Sequence, residues 1–128
     1  MRKLLPILLS ALLFTGCASS NNQTNTYRQI SMGEAVDMMS EETGYIILDA
    51  RRADEFATGH IPGAINVANE SIGTDELPEL PDKNQLIMVY CRSGRRSKEA
   101  AEKLVKLGYT NIVEFGVILD WKGEIVTD

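Results

Sequence analysis

"QLIMVYCRSGRRSKEAAEKLVKLG", Gln85 to Gly108, holds a complete strand–loop–helix unit and decides the class of the fold. "QLIMVYC" is a continuous apolar run, the composition of a strand buried on both faces. Ser97 to Leu107 then sets Ala100, Ala101, Leu104, Val105 and Leu107 among charges at helical spacing. Gly108 ends that helix. A doubly buried strand leading straight into an amphipathic helix belongs to an α/β domain with a largely parallel sheet.

The flanking sequence repeats the alternation. Ser31 and Glu34 form a capping box in front of Ala35, Met38 and Met39, which recur at helical spacing up to a stop at Gly44. "YIILDA" (Tyr45 to Ala50) is a short apolar strand, and Asp54 to Thr58 a short helix closed by Gly59. Ala64 to Val67 makes a second short strand after a turn. Ala68 to Asn84 is acidic, contains Pro78 and Pro81, and shows no periodicity, which predicts a loop with at most one helical turn. "NIVEF" (Asn111 to Phe115) is the last strand, and the chain closes with a turn or helix around Trp121. The expectation is one small, mostly parallel sheet flanked by helices over residues 28–128.

The first sixteen residues stand apart. Arg2 and Lys3 precede "LLPILLSALLFT" (Leu4 to Thr15), an apolar run of 12 residues. A spanning helix needs about 20. A basic start, a short apolar core and small residues before a break describe an export signal. Ala18 to Thr26 is small and polar, the composition of a flexible tether.

Without Arg2 and Lys3, the 13 basic residues fall to 11 against 18 acidic ones, a balance of −7. So acidic a domain is unsuited to nucleic acid. Six of the eleven cations (Arg92, Arg95, Arg96, Lys98, Lys103 and Lys106) nevertheless fall within fifteen residues, directly after Cys91. Local positive charge on an acidic domain points to a small anion. With one histidine and one cysteine in the folded part, no metal site and no cofactor are expected.

Cys91 sits where parallel sheets collect ligands, beyond the carboxyl end of a strand and before a helix. Residues 92–96 would form the connecting loop. If Arg92, Ser93, Gly94, Arg95 and Arg96 curl around the sulfur, their backbone N–H groups make an anion nest. The helix N-terminus and the arginines add positive charge. Surroundings of that kind favour a thiolate, the form that attacks sulfur or phosphorus. Gly94 supplies the φ freedom a tight cradle needs. The competing reading is a cysteine used as a small core hydrophobe with its arginines in solvent. Three arginines and a glycine within five residues weigh against it.

These segments resemble the rhodanese family. "LDARRADEFATGHIPGAINV" (Leu48 to Val67) is similar to its first signature, and "YCRSGRRS" (Tyr90 to Ser97) to its active-site loop. "LVKLGYTNIVEFGVILDW" (Leu104 to Trp121) is similar to its closing segment, with Val117 where a second glycine is common. The resemblance covers Ile30 to Val126 and implies a rhodanese-like α/β domain. It implies sulfur transfer in two steps, from thiosulfate or a similar anionic donor onto Cys91, then from a Cys91 persulfide to a thiol or cyanide. Phosphatases of this fold use a loop one residue longer, so the four residues between Cys91 and Arg96 point away from phosphate esters and arsenate. Arg92 and Arg95 are the candidates for holding the donor. Arg96 would share that task or turn inward and fix the loop. Asp49 and Arg51 match the first signature and would brace the loop as a buried pair. Ser97 would cap the helix. His60 reads as a structural hydrogen-bonding residue and Trp121 as core.

"LLFTGCASS" (Leu12 to Ser20) resembles the cleavage box of bacterial lipoproteins, with Cys17 as the lipidated first residue. That implies a membrane anchor on an exported protein facing the periplasm or the cell surface. Ala18 matches the family's outer-membrane sorting pattern. Outside the cytoplasm an unpaired thiolate is open to oxidation, so a protein reductant or sulfur acceptor is an expected partner. Two alternatives remain at this point. One is a persulfide carrier whose partners are proteins, and the other is a silent binding module of the same fold.

Overall fold

The computed structural model of this chain describes residues 26–128. The expected export signal, Cys17 and the tether up to residue 25 lie outside the described residues.

The order of elements is β1 (Arg28–Gln29), α1 (Met32–Glu41), β2 (Ile46–Asp49), α2 (Ala53–Thr58), β3 (Ile65–Asn66), β4 (Ile87–Cys91), α3 (Arg95–Lys106) and β5 (Ile112–Val117). Single 3₁₀ turns lie at Asn69–Ser71 and Ile118–Asp120. The five strands form one sheet in the order β1-β5-β4-β2-β3, and every ladder is parallel. The α/β class read from the sequence is the architecture found.

Period-two alternation along β4 explains the layers. Ile87 and Val89 face α3, packing with Leu48, Ala100, Ala101, Leu104 and Ile112. Met88 and Tyr90 face the other way, with Ile47, Ala35 of α1 and Phe115. All five residues of β4 are buried, as a strand covered on both sides requires. The strand's end is therefore held rigidly by both layers.

Local signals set most boundaries. The Ser31 hydroxyl accepts from the Glu34 N–H at 3.1 Å, and the Glu34 carboxylate accepts from the Ser31 N–H at 3.3 Å, completing the expected capping box. The helix ends at Glu41, earlier than the expected stop at Gly44. The loop between β3 and β4 contains one helical turn, at Asn69–Ser71. Lys103 fixes that turn to α3 by donating to the Asn69 carbonyl at 2.9 Å and its Oδ1 at 3.0 Å.

Two boundaries differ in ways that matter for the site. Helix α3 begins at Arg95, two residues ahead of the expected start at Ser97, because Gly94 takes a left-handed φ of 98° and serves as the N-cap. Strand β5 runs on to Val117. Val117 adopts φ −118° and ψ 116°, extended backbone open to any residue, so no second glycine is needed before the Ile118 turn.

Candidate active site

Cys91 is the last residue of β4 and is fully buried. The turn that follows is short, Arg92 to Gly94, because Arg95 and Arg96 already belong to the first turn of α3. Gly94's positive φ turns its own N–H back toward the strand, where it donates to Cys91 Sγ at 2.9 Å. The left-handed residue thus builds one wall of the expected nest and starts the helix at once.

The Ser97 hydroxyl lies 3.3 Å from Cys91 Sγ. Ser97 is therefore not the helix cap. Standing one turn inside α3, its hydroxyl reaches back to the Gly94 carbonyl at 3.1 Å, a bond within the first turn. It also meets Glu114 Oε1 at 3.0 Å. Glu114 comes from β5, is 3 % exposed, and shares its face of the sheet with Ile112. Burial pushes its carboxyl up from the ordinary value, while Ser97, Lys98 and the Gly116 N–H oppose that shift. Nothing in the motif reading singled out Glu114. The signal is a lone carboxylate in an otherwise apolar strand.

The arginines divide into two groups. Arg92 and Ser93 are exposed on the turn. Arg95 is also exposed and pairs with Glu99 one turn on, at 2.8 Å. Neither Arg92 nor Arg95 bonds to Cys91, so both stand on the rim. Arg96 turns inward, the second of its two expected roles. It holds Glu55 of α2 through two bonds, at 2.5 and 3.0 Å, with both side chains largely covered. That bidentate pair carries the Glu55 carboxyl down to about 2, chiefly through the hydrogen bond from Arg96. It also ties the cysteine loop to the signature segment at Leu48–Val67.

Asp49 and Arg51 form the second brace. Asp49 is fully buried and accepts from the Arg51 backbone N–H at 2.9 Å, from its Nε at 3.0 and 3.1 Å, and from its Nη2 at 2.7 Å. Tyr90, the residue before the cysteine, donates to Asp49 Oδ2 at 2.6 Å and accepts the Ile61 N–H at 3.2 Å. Burial raises the Tyr90 phenol well above its ordinary value, and neighbouring Asp49 adds to this, so the hydroxyl stays a donor. Arg51 Nη2 reaches the Gly59 carbonyl at 2.7 Å. The pair thus fixes the register of β4 against the 59–61 turn. His60 is buried, stacked on Phe56 with centroids 3.7 Å apart, and bonded through Nδ1 to the Phe56 carbonyl at 2.9 Å. It takes no part at Cys91. Trp121 is half-buried against the core layer that holds Met88, Tyr90 and Phe115, and donates to the Glu124 carbonyl at 2.9 Å.

Cys91 thus stands at a strand end, before a glycine-started helix and beside a buried Asp–Arg brace. The rhodanese-like domain model matches residues 31–121. Thiosulfate sulfurtransferase PspE of Escherichia coli K12 is 34 % identical over 73 residues, 57 % of this chain and 70 % of that protein. The uncharacterized protein YibN of the same organism is 32 % identical over 91 % of this chain and 80 % of its own length. Among solved structures, a rhodanese with anions from E. coli superposes with a TM-score of 0.60 at 31 % identity, covering 66 % of this chain and 99 % of that one. A rhodanese-related protein from Thermoplasma volcanium gives 0.64 at 28 %, covering 80 % and 100 %. The domain model spans most of the chain and the solved structures share its fold, and the chain belongs to the rhodanese-like domain family.

Proposed function

We propose that this protein is a sulfurtransferase that carries sulfane sulfur on Cys91. The observation behind this reading is the environment of that sulfur. It ends a parallel strand, accepts the Gly94 N–H at 2.9 Å, and lies against the start of α3. Such a setting favours negative charge on sulfur, whether thiolate or persulfide.

In the first step the Cys91 thiolate attacks the outer sulfur of thiosulfate. A new S–S bond forms, the old one breaks, and its electron pair leaves with sulfite. In the second, cyanide or a thiolate attacks the terminal sulfur of the persulfide. The products are thiocyanate or a new persulfide, and the Cys91 thiolate returns. Double-displacement kinetics follow. Arg92 and Arg95, exposed on the rim, attract the anionic donor. The short turn between Cys91 and α3 leaves a cradle better suited to a single sulfur atom than to a phosphate ester. Cys91 is fully buried, so contact with a donor requires local movement around the sulfur.

The N-terminal reading belongs to the same proposal: export, lipidation of Cys17 and attachment to a membrane. Mass spectrometry of the protein from its host would show the diacylglyceryl adduct on Cys17, lost in Cys17→Ser.

The deciding experiment measures thiocyanate from thiosulfate and cyanide with the full chain and its Cys91→Ser variant, alongside hydrolysis of para-nitrophenyl phosphate. Turnover by the wild type alone, with no phosphate release, is expected. A folded, reduced wild type that forms neither thiocyanate nor a persulfide detectable by mass would overturn the proposal.

A further inference from the structure

The Ser97 hydroxyl has one proton and three polar neighbours. These are the Gly94 carbonyl at 3.1 Å, Cys91 Sγ at 3.3 Å and Glu114 Oε1 at 3.0 Å. The carbonyl can only accept. Cys91 and Ser97 are 0 % exposed and Glu114 is 3 % exposed, so all three groups are shielded from bulk solvent. Cys91 Sγ also accepts the Gly94 N–H at 2.9 Å, and the Glu114 carboxylate a bond from the Gly116 N–H. If both groups were ionised, the single Ser97 proton could still serve only one of them, and two negative charges would share one dry site. Burial of that kind strongly disfavours the doubly charged state.

One additional proton satisfies the chain, and it has two places to sit. In one arrangement the thiol donates to Ser97 Oγ, and Ser97 donates to the Glu114 carboxylate. In the other the protonated Glu114 donates to Ser97 Oγ, and Ser97 donates to the thiolate. The two differ by a shift of two protons along the chain, with no change in net charge and no heavy atom displaced.

We propose that Glu114 is the acceptor of the Cys91 proton, reached through Ser97, so that the thiolate forms by relay inside the protein without release of a proton to solvent. This deepens the sulfurtransferase reading and rests on Cys91 being the nucleophile. Glu114 touches no substrate, so it is a positioning residue that acts through Ser97. The other charged and titratable groups around the chain are few. Lys98 of α3 and Tyr27, just ahead of β1, face Glu114, and Arg96 faces Cys91. Burial displaces the Glu114 carboxyl upward, toward its protonated form, against the opposing pull of Ser97, Lys98 and the Gly116 N–H.

Two coupled sites titrate in shared steps that belong to the pair. The first measurement is the rate of iodoacetamide alkylation of Cys91 in the full chain across pH, with peptide mass spectrometry separating Cys91 from Cys17. The wild type is expected to rise in two steps divided by a plateau at least about one pH unit wide, the onset of strong coupling. In Glu114→Gln the amide still donates to Ser97 but takes up no proton, so the plateau disappears and a single step remains. A Glu114 that only supports the fold would leave the wild type itself with one step. The second measurement needs no variant. In wild type labelled with ¹³C at glutamate side chains, the Glu114 carboxyl resonance should inflect at both pH values where alkylation steps. Should Glu114→Gln fail to fold, this titration decides alone. One wild-type alkylation step, with a carboxyl inflection at a different pH, overturns the relay. Neither readout involves sulfur transfer, so loss of the relay and loss of the sulfurtransferase reading would be told apart.

Discussion

Asp49→Asn should be the most damaging isosteric change outside the cysteine loop, and its cost follows from the contacts. The Asp49 carboxylate neutralises a guanidinium that is only 8 % exposed and receives the Tyr90 hydroxyl at 2.6 Å. Asparagine keeps one acceptor oxygen but turns an NH₂ toward the Arg51 donors, leaving a buried cation without its counter-charge. Breaking a buried ion pair from one side costs about 3–5 kcal/mol. Total stability of a domain this size is about 5–15 kcal/mol, so the variant approaches the limit of folding. With about 4–8 °C lost per kcal/mol, Tm should fall by more than about 12 °C. Urea unfolding followed by Trp121 fluorescence would report the change as a shift in midpoint at constant slope. Arg51→Met in the same background provides the control. With the cation gone as well, much of the loss should be recovered, since removing both partners is far milder than stranding one. A loss below about 1 kcal/mol in the single variant, or simple additivity in the double, would refute the idea that this pair carries charge in a dry site.

Three further outcomes follow from other contacts. Glu55 is held far below its unfolded value, to about 2, so its contribution is present above about pH 4.5 and is lost as pH falls toward 2. Acid unfolding of Glu55→Gln should accordingly lose part of its pH dependence across that interval, and an unchanged acid transition would count against the Arg96–Glu55 tie. Gly94→Ala adds a methyl that meets nothing within 4 Å, yet forces alanine into a φ of 98°. The expected cost is about 1–3 kcal/mol of backbone strain, together with slower alkylation of Cys91 as the Gly94 N–H leaves the sulfur. Tyr109→Phe removes the donor that its hydroxyl gives the Leu80 carbonyl at 2.5 Å, and should cost about 1–3 kcal/mol by thermal melting without altering Cys91 reactivity.

The unit at the heart of the site was legible because two periodicities meet there. β4 is apolar at every position and α3 only along one stripe, so strand, turn and helix could be placed with Cys91 between them. The start of α3 was misplaced because Ser97 is the residue type that usually caps a helix, whereas Gly94 does so here through its φ. That shift moved Arg95 and Arg96 from loop to helix and gave Ser97 a different task. Arg28–Gln29 is polar and two residues long, and its pairing with Val113 and Glu114 depends on chain 85 residues away, so no local pattern announces it. Glu114 and Tyr90 escaped notice for a related reason. Each is one polar group in an apolar strand, and its meaning comes from what the fold sets opposite it: Ser97 for one, Asp49 for the other.

The sheet order β1-β5-β4-β2-β3 also bears on the order of events during synthesis. The strand that fills the gap between β1 and β4 is the last to leave the ribosome, and parallel pairings between distant segments close slowly. Until Ile112–Val117 has emerged, β4 has no neighbour on that side and Arg28–Gln29 has nothing to pair with. Glu114 arrives with the same strand. A nascent chain that already displays Cys91 thus carries an ordinary cysteine, and its special surroundings appear only when the fold is nearly complete.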